Sequence, residues 1–265
     1  MEIVGYFSAL LIGFALAVFG AGGSILTIPI LIYLFGYAPL PATTYAFIIV
    51  GFTAAIGTLQ NIRQRNVYLR PAIFFAFPSV LSIFLVRNVI LPNIPEQVGH
   101  IGNITLTKDL IVLAVFSVIM AVAGFKMIRS RHGEDAPQGD GGMHPFMLML
   151  LGAMVGFVLG FAGVGGGFLI TPALVMFAKL PIRRAIGTSL LIISLNSFVG
   201  FFSSLQMHAD IDWAFIAIFI ALTALGIFLG NLLSGRIRSS QLQGAFGWFL
   251  FAFGIFMIVS EIMDL

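Results

Sequence analysis

The 265-residue chain has no cysteine. Disulfides, thiolate nucleophiles and cysteine-ligated metals are thereby excluded. Charge is nearly as scarce: Asp, Glu, Lys and Arg make up 9% of the residues, against about 25% in a soluble domain. None of them stands at the centre of an apolar run. The intramembrane acids that usually build a fixed cation site or a proton relay are missing. Arg87, Lys108 and Asp109 sit near segment ends, where long side chains are expected to snorkel outward. His100, His132, His144 and His208 fall in loops or at ends, without metal-ligand spacing. Walker, H-E-x-x-H and G-x-S-x-G patterns are absent too. No cofactor is expected, and no paired nucleophile and base that would make the chain an enzyme.

What remains is apolar. Hydrophobic residues make up 60% of the chain, and the mean hydropathy is +1.10. No soluble fold hides that much apolar surface, so an integral membrane protein embedded in a lipid bilayer is expected. The runs are long and unbroken rather than alternating, which points to helices and not barrel strands. The net charge of +3 does not call for nucleic acid as a partner. Lys and Arg sit in short loops, as orientation signals do. The N-terminal run, from Ile3 to Phe19, follows Glu2 and exceeds a signal-peptide core, so it reads as a mature span.

The most informative feature is a glycine-rich segment present twice. The first copy runs from Gly13 through Gly20, Gly22, Gly23 and Ser24 to Pro29. The second runs from Gly156 through Gly163, Gly165, Gly166 and Gly167 to Pro172. At an offset of 143, both Gly-Phe pairs, three further glycines, two leucines and the proline coincide. Each copy lies within a long apolar stretch. A matched pair of glycine breaks is the best sequence-level pointer to a transporter binding site.

Ten apolar segments are read, at about 3–20, 24–36, 42–62, 71–91, 109–128, 145–162, 167–178, 185–205, 213–233 and 242–262. A polar linker at 129–143 separates an N-terminal repeat (1–128) from a C-terminal one (144–265). Basic clusters at Arg63–Arg70, Lys126–Arg131, Lys179–Arg184 and Arg236–Arg238 are placed inside. The connections at Gly36–Pro41, Pro92–Thr107 and His208–Asp212 are placed outside.

These placements agree only if each glycine-broken region goes in and comes back. One helix from Ile3 to Phe35 would also be about 50 Å long, against a core of about 30 Å. The expected architecture is therefore an all-α polytopic membrane protein of two inverted-topology repeats. Each repeat has a glycine-broken helix pair followed by three transmembrane helices, with eight to ten helical segments in all. Both termini fall outside and the linker is cytoplasmic. Whether each pair is a re-entrant hairpin or two crossings stays open.

Helices restarting near Ser24 and Gly167 would expose unpaired amides, which favour anions. Two such ends, one from each repeat, can meet on one small oxyanion. The blander account is that the glycines only permit close helix packing. The same offset relates Ala42-Thr43-Thr44-Tyr45-Ala46 to Ala185-Ile186-Gly187-Thr188-Ser189, and Thr53, Gln60 and Asn61 to Asn196, Ser203 and Ser204. The candidate substrate-binding residues are Gly20, Gly22, Gly23, Ser24, Gly163, Gly165, Gly166, Gly167, Thr188, Ser189 and Asn196. For the polar ones, capping and interhelical hydrogen bonding are the ordinary alternatives.

The stretch from Gly156-Phe157 through Gly163-Val164-Gly165-Gly166-Gly167 to Pro172, then Ala185-Ile186-Gly187-Thr188-Ser189, resembles the signature of the sulfite exporter TauE/SafE-like family, the TSUP permeases. The resemblance covers essentially the whole chain. The first copy departs from it, with Ser24 for the third glycine and Thr44-Tyr45-Ala46 for Gly-Thr-Ser. The resemblance implies transport of sulfur-containing anions such as sulfite or organosulfonates. The expected function is a secondary transporter in the cell membrane. The alternative is a transporter or channel for another small anion such as a short carboxylate. A homo-oligomer is compatible with either.

Overall fold

The computed structural model describes residues 2–20, 22–37, 39–90, 93, 97–101, 104–107, 121–122, 124–129, 144–162, 167–204, 211–234 and 239–263. The first half contains α1 (Glu2–Phe19), α2 (Gly22–Tyr33), α3 (Pro39–Arg63) and α4 (Leu69–Leu85). A π-helical turn, Val86–Ile90, prolongs α4. Residues 124–129 belong to a further helix, α5. The second half contains α6 (Pro145–Ala162), a 3-10 turn (Gly167–Leu169), α7 (Ile170–Met176), α8 (Ile182–Ser204), α9 (Trp213–Ser234) and α10 (Ser239–Met263).

The helix starts follow from local chemistry. Pro39 and Pro145 open α3 and α6, where a missing N–H costs nothing. Asp212 Oδ1 accepts the Phe215 N–H at 3.0 Å and caps α9. One element departs from the all-helical expectation. In the connection placed at 92–107, β1 (Gln97–Ile101) pairs antiparallel with β2 (Ile104–Thr107). The low-charge, β-branched run Ile101 to Thr107 suits such a hairpin.

Four stretches are long and apolar enough to cross a membrane: Pro41–Arg63, Leu69–Ile90, Ile182–Ser204 and Trp213–Leu233. Two of them are central. The α3 and α8 spans are 72% buried, against 28% for the α4 span and 33% for the α9 span. Phe77, Leu81 and Phe84 on α4, and Leu225, Phe228 and Leu232 on α9, are exposed at helical spacing. Such stripes suit lipid, because water would not tolerate them.

The relation between the halves can be read from close contacts. Phe47, Gly51 and Gly57 of α3 meet Gly200, Ser197 and Leu190 of α8. Numbers rise along one helix as they fall along the other, so the two run antiparallel. They are equivalent helices of the two halves. The Ser194 hydroxyl donates to the Gly51 carbonyl at 3.1 Å, joining residues 143 apart. A position therefore bonds its own repeat mate, which marks the two-fold axis at that crossing. Antiparallel equivalents require an axis in the membrane plane, which is an inverted repeat. The flanks obey the same symmetry: α1 runs parallel to α9, and α6 runs parallel to α4. Gly13 abuts the Thr223 backbone, and Gly156 the Ser79 backbone. These glycines let the helices touch without intervening side chains.

The glycine-broken pair of the first half is a hairpin. Gly5, near the start of α1, abuts the Phe35 ring, just beyond α2. Tyr6 and Phe35 also meet edge-to-face at 5.5 Å. The turn lies at Gly20, whose φ is +74°. The arms have 18 and 12 residues, or about 27 and about 18 Å, short of a core of about 30 Å. The pair thus enters and returns. The helices α2 and α7 are followed by the same left-handed cap. Gly36 (φ +72°) and its repeat mate Lys179 (φ +53°) are followed by Tyr37 N–H to Leu31 carbonyl and Leu180 N–H to Leu174 carbonyl bonds, each 3.1 Å.

Candidate functional site

Ile186, Ser189, Ile193 and Asn196 occupy one face of α8, by their three- and four-residue spacing. Both glycine breaks land on this stripe. At Gly20, a Cβ would stand 2.9 Å from the Ile186 Cα and the Ser189 Oγ, and 3.0 Å from the Thr171 Oγ1. At Gly167, a Cβ would strike Ile193 at 2.3 Å. Backbone fills the space that side chains would otherwise take.

Ser189, Thr171 and the Gly20 turn form one buried cluster. Thr171 donates to Ser189 Oγ at 2.8 Å. Ser189 donates to the Ile186 carbonyl at 2.9 Å, with the Gly20 carbonyl 3.4 Å away. Both hydroxyl residues are fully buried. A turn of one repeat thus packs against two hydroxyl residues of the other.

Two turns along α8, Asn196 donates from Nδ2 to Ser79 Oγ at 3.0 Å. Its Oδ1 is buried with no protein partner, as is the neighbouring Ser197 Oγ. The repeat mate of Asn196 is Thr53, and there the same geometry is complete. Thr53 pairs with Thr223 at 2.8 Å; one of the two donates across the pair and the other donates to a carbonyl of its own helix, Ile49 or Ile220. Symmetry therefore isolates one spare carboxamide end near the repeat axis. A buried polar atom left unmet costs about 1–3 kcal/mol. Rotating the amide changes which end is spare, not the fact of it.

Among the other expected site residues, Gly22, Gly23 and Ser24 form the first turn of α2. Gly163, Gly165 and Gly166 lie outside the described residues. The expected restart near Ser24 falls two residues earlier, at Gly22. At the second break the chain resumes as a 3-10 turn leading into α7 of only seven residues. The two breaks thus do not present equivalent helix ends, although Pro29 and Pro172 stand at the same position of the two repeats. Thr188 is buried and accepts the Tyr68 N–H at 3.1 Å. Tyr45, its repeat mate, accepts the Asp212 N–H at 2.8 Å. Each hydroxyl clasps the other repeat's interhelical loop.

One further expectation is corrected. Arg87 does not snorkel outward. Its guanidinium lies 4.6 Å from the centre of the Phe47 ring, and Nη1 donates to Ser204 Oγ at 3.0 Å. The π-helical turn from Val86 supplies the rotation that points it inward. At the opposite end, a narrow polar cleft is lined by Asn61, Gln64, Asn66, Arg183 and Asn231, and also by Ala17 and Ile186. Ile186 is the residue against which Gly20 packs. The cleft admits a water-sized sphere over about 20 Å³, room for about one water. Loop charge alone assigns Arg183 only to orientation. The sequence carried a faint mark of this cleft, since Asn61 is polar inside an otherwise apolar run.

Inverted repeats that cross at a broken-helix, hydroxyl-lined centre define a polytopic membrane transporter. The comparisons give the family. The model of the family Sulfite exporter TauE/SafE matches residues 6–257, and the chain belongs to that family. A probable membrane transporter protein of Xylella fastidiosa (strain Temecula1) is 32% identical over 259 residues, covering 94% of this chain and 91% of that protein. A probable membrane transporter protein of Haemophilus influenzae is 21% identical over 269 residues, covering 94% and 95%. One of Methanocaldococcus jannaschii is 34% identical over 124 residues, covering 44% and 46%. No solved structure matches.

Proposed function

We propose that this membrane transporter is a secondary carrier of a small sulfur-containing anion, sulfite or an organosulfonate, acting in the cell membrane. The observation that carries the reading is the α8 stripe. Ser189 with Thr171 and the Gly20 turn stands at one level, and Asn196 with its spare carboxamide stands about 10 Å further along. Turned so that Nδ2 is the spare end, the Asn196 amide donates to an oxyanion, and the Ser189 and Thr171 hydroxyls can do the same, all through neutral dipoles. Such a site binds without a full countercharge, so the anion can leave again. The family's name supports the sulfur-containing class of substrate.

The test is a thermal-shift screen of the purified protein against sulfite, thiosulfate, sulfate, sulfoacetate, taurine and short carboxylates. A ligand at one hundred times its Kd stabilises by about 2.7 kcal/mol. Labelled-sulfite counterflow in proteoliposomes then separates a carrier from a channel. Stabilisation by none of the sulfur anions refutes the substrate class. Stabilisation without counterflow refutes the carrier.

A further inference from the structure

We propose that Arg183 and Arg87 are paired terminal stations for a small oxyanion, one at each end of the α8 stripe. The proposal rests on the anion-carrier reading above and deepens it.

The repeat symmetry brings the two together. In α4 and α9 the equivalence is 144: it relates Tyr68 to Asp212 in the loop clasps and Ser79 to Thr223 in the polar pairs. By that relation Arg87 is the mate of Asn231. Asn231 lines the polar cleft and donates to Gln60. Asn61, also in the cleft, is at the usual offset the mate of Ser204, to which Arg87 donates. The Arg87–Ser204 pair is thus the counterpart of the cleft at the other end of the molecule. Arg183 of α8 lines the cleft, and Arg87, which follows α4, stands at its counterpart.

The spacing fits a path. Arg183 stands on the first turn of α8, and Ser204 is its last residue. They are 21 residues apart, or about 30 Å, the thickness of a bilayer core. Ser189 and Asn196 lie between them on the stripe, so successive stations are separated by about 10 Å. A guanidinium offers a planar pair of donors that matches two oxygens of an oxyanion. Asn61, Gln64 and Asn66 surround Arg183 with amide donors. Arg184 differs: its guanidinium lies 4.7 Å from the centre of the Tyr68 ring, and it does not line the cleft.

The two ends are not in the same condition. The Arg183 cleft is open to a water-sized sphere, while Arg87 is folded onto Phe47 and Ser204. The cleft has room for about one water, less than an oxyanion needs, so it must widen before Arg183 can receive one, and Arg87 must leave Phe47 before it can receive.

The test is sulfite transport in oriented vesicles, with half-saturation measured separately from each face, and with a thermal melt to verify folding. R183Q is expected to raise the half-saturating sulfite concentration about tenfold or more from the α8 N-terminal face, and to leave the opposite face near wild type. R87Q is expected to do the reverse. R183K and R87K keep the charge and recover part of the loss, and R184Q changes neither face. Folded R183Q and R87Q with wild-type half-saturation on both faces overturn the proposal, and so does an equal change on both. A wild-type protein that neither binds nor exchanges sulfite overturns the carrier reading itself, which S189A would then leave equally silent.

Discussion

Gly20 and Gly36 provide a matched pair of perturbations. Both have left-handed backbones, with φ +74° and +72°. An L-residue in that region costs about 1–2 kcal/mol. Around Gly36 a Cβ would meet nothing within 4 Å, so Gly36→Ala carries that cost alone. Around Gly20 it would meet the Ile186 Cα and Ser189 Oγ at 2.9 Å and Thr171 Oγ1 at 3.0 Å. One of those contacts is backbone and cannot rotate away. Overpacking of this kind adds about 1–3 kcal/mol. Gly20→Ala is therefore expected to lose about 2–5 kcal/mol in all, and to push the hairpin tip off α8. The assay is a thermal melt in detergent together with sulfite uptake per folded molecule. Gly36→Ala should melt slightly lower and transport normally. Gly20→Ala should melt markedly lower and lose transport beyond its loss of protein. If the two variants melt together and transport alike, the Gly20 turn is not seated on α8 as described.

Lys179 holds the left-handed cap position that Gly36 holds in the other repeat, so Lys179→Gly should raise the melting temperature by an amount corresponding to about 1 kcal/mol. Asn196→Leu removes the spare carboxamide; the melt should hold or rise while the sulfite-induced shift disappears, and a retained shift would place the anion elsewhere. A neutral centre favours a monoanion. Bisulfite gains over sulfite as pH falls from about 8 to about 6, so total-sulfite affinity should rise over that range while a non-titrating monosulfonate stays flat; the opposite slope would mean that the dianion is preferred. Cysteine placed at Gly139 should react with an impermeant thiol reagent only from the cytoplasmic side, and cysteine near Leu265 only from outside, because the chain has no background thiol.

The hydrophobic runs foretold the helices, since in lipid an apolar stretch has little other choice. The inversion was legible because loop charge and the 143 offset are both one-dimensional signals. Residue pairing across the axis was not. Nothing in the sequence places Ser194 on Gly51 or Thr171 on Ser189, because both contacts depend on where two helices cross. Asn196 could be nominated by its polarity alone, while its partner Ser79 lies 117 residues away. Arg87 was misjudged for a specific reason. Distance from the end of a run predicts snorkelling, but a π-helical turn rotates the side chain by more than any hydropathy window records. The β-hairpin was missed because a weakly polar connection carries no periodicity to betray it.

The distribution of charge along α8 bears on why a carrier would be built this way. A guanidinium at the centre would hold an oxyanion in low dielectric, where attraction is strongest and release slowest. At the two mouths the dielectric is higher, and an arginine concentrates anions without trapping them. The middle of the stripe has only Ser189, Thr171 and the carboxamide of Asn196, all neutral. Inverted repeats would by default put the same residue at both mouths. Here Asn231 and Arg87 are mates, and Arg183 has Leu40 as its own. Each repeat thus contributes one arginine through a different helix. The two ends are chemically alike but mechanically distinct, Arg87 packed on an aromatic ring and Arg183 bordering a cleft. An exchange of those two conditions is the change that alternating access requires, and it would need no charge to enter the centre of the membrane unaccompanied by the anion.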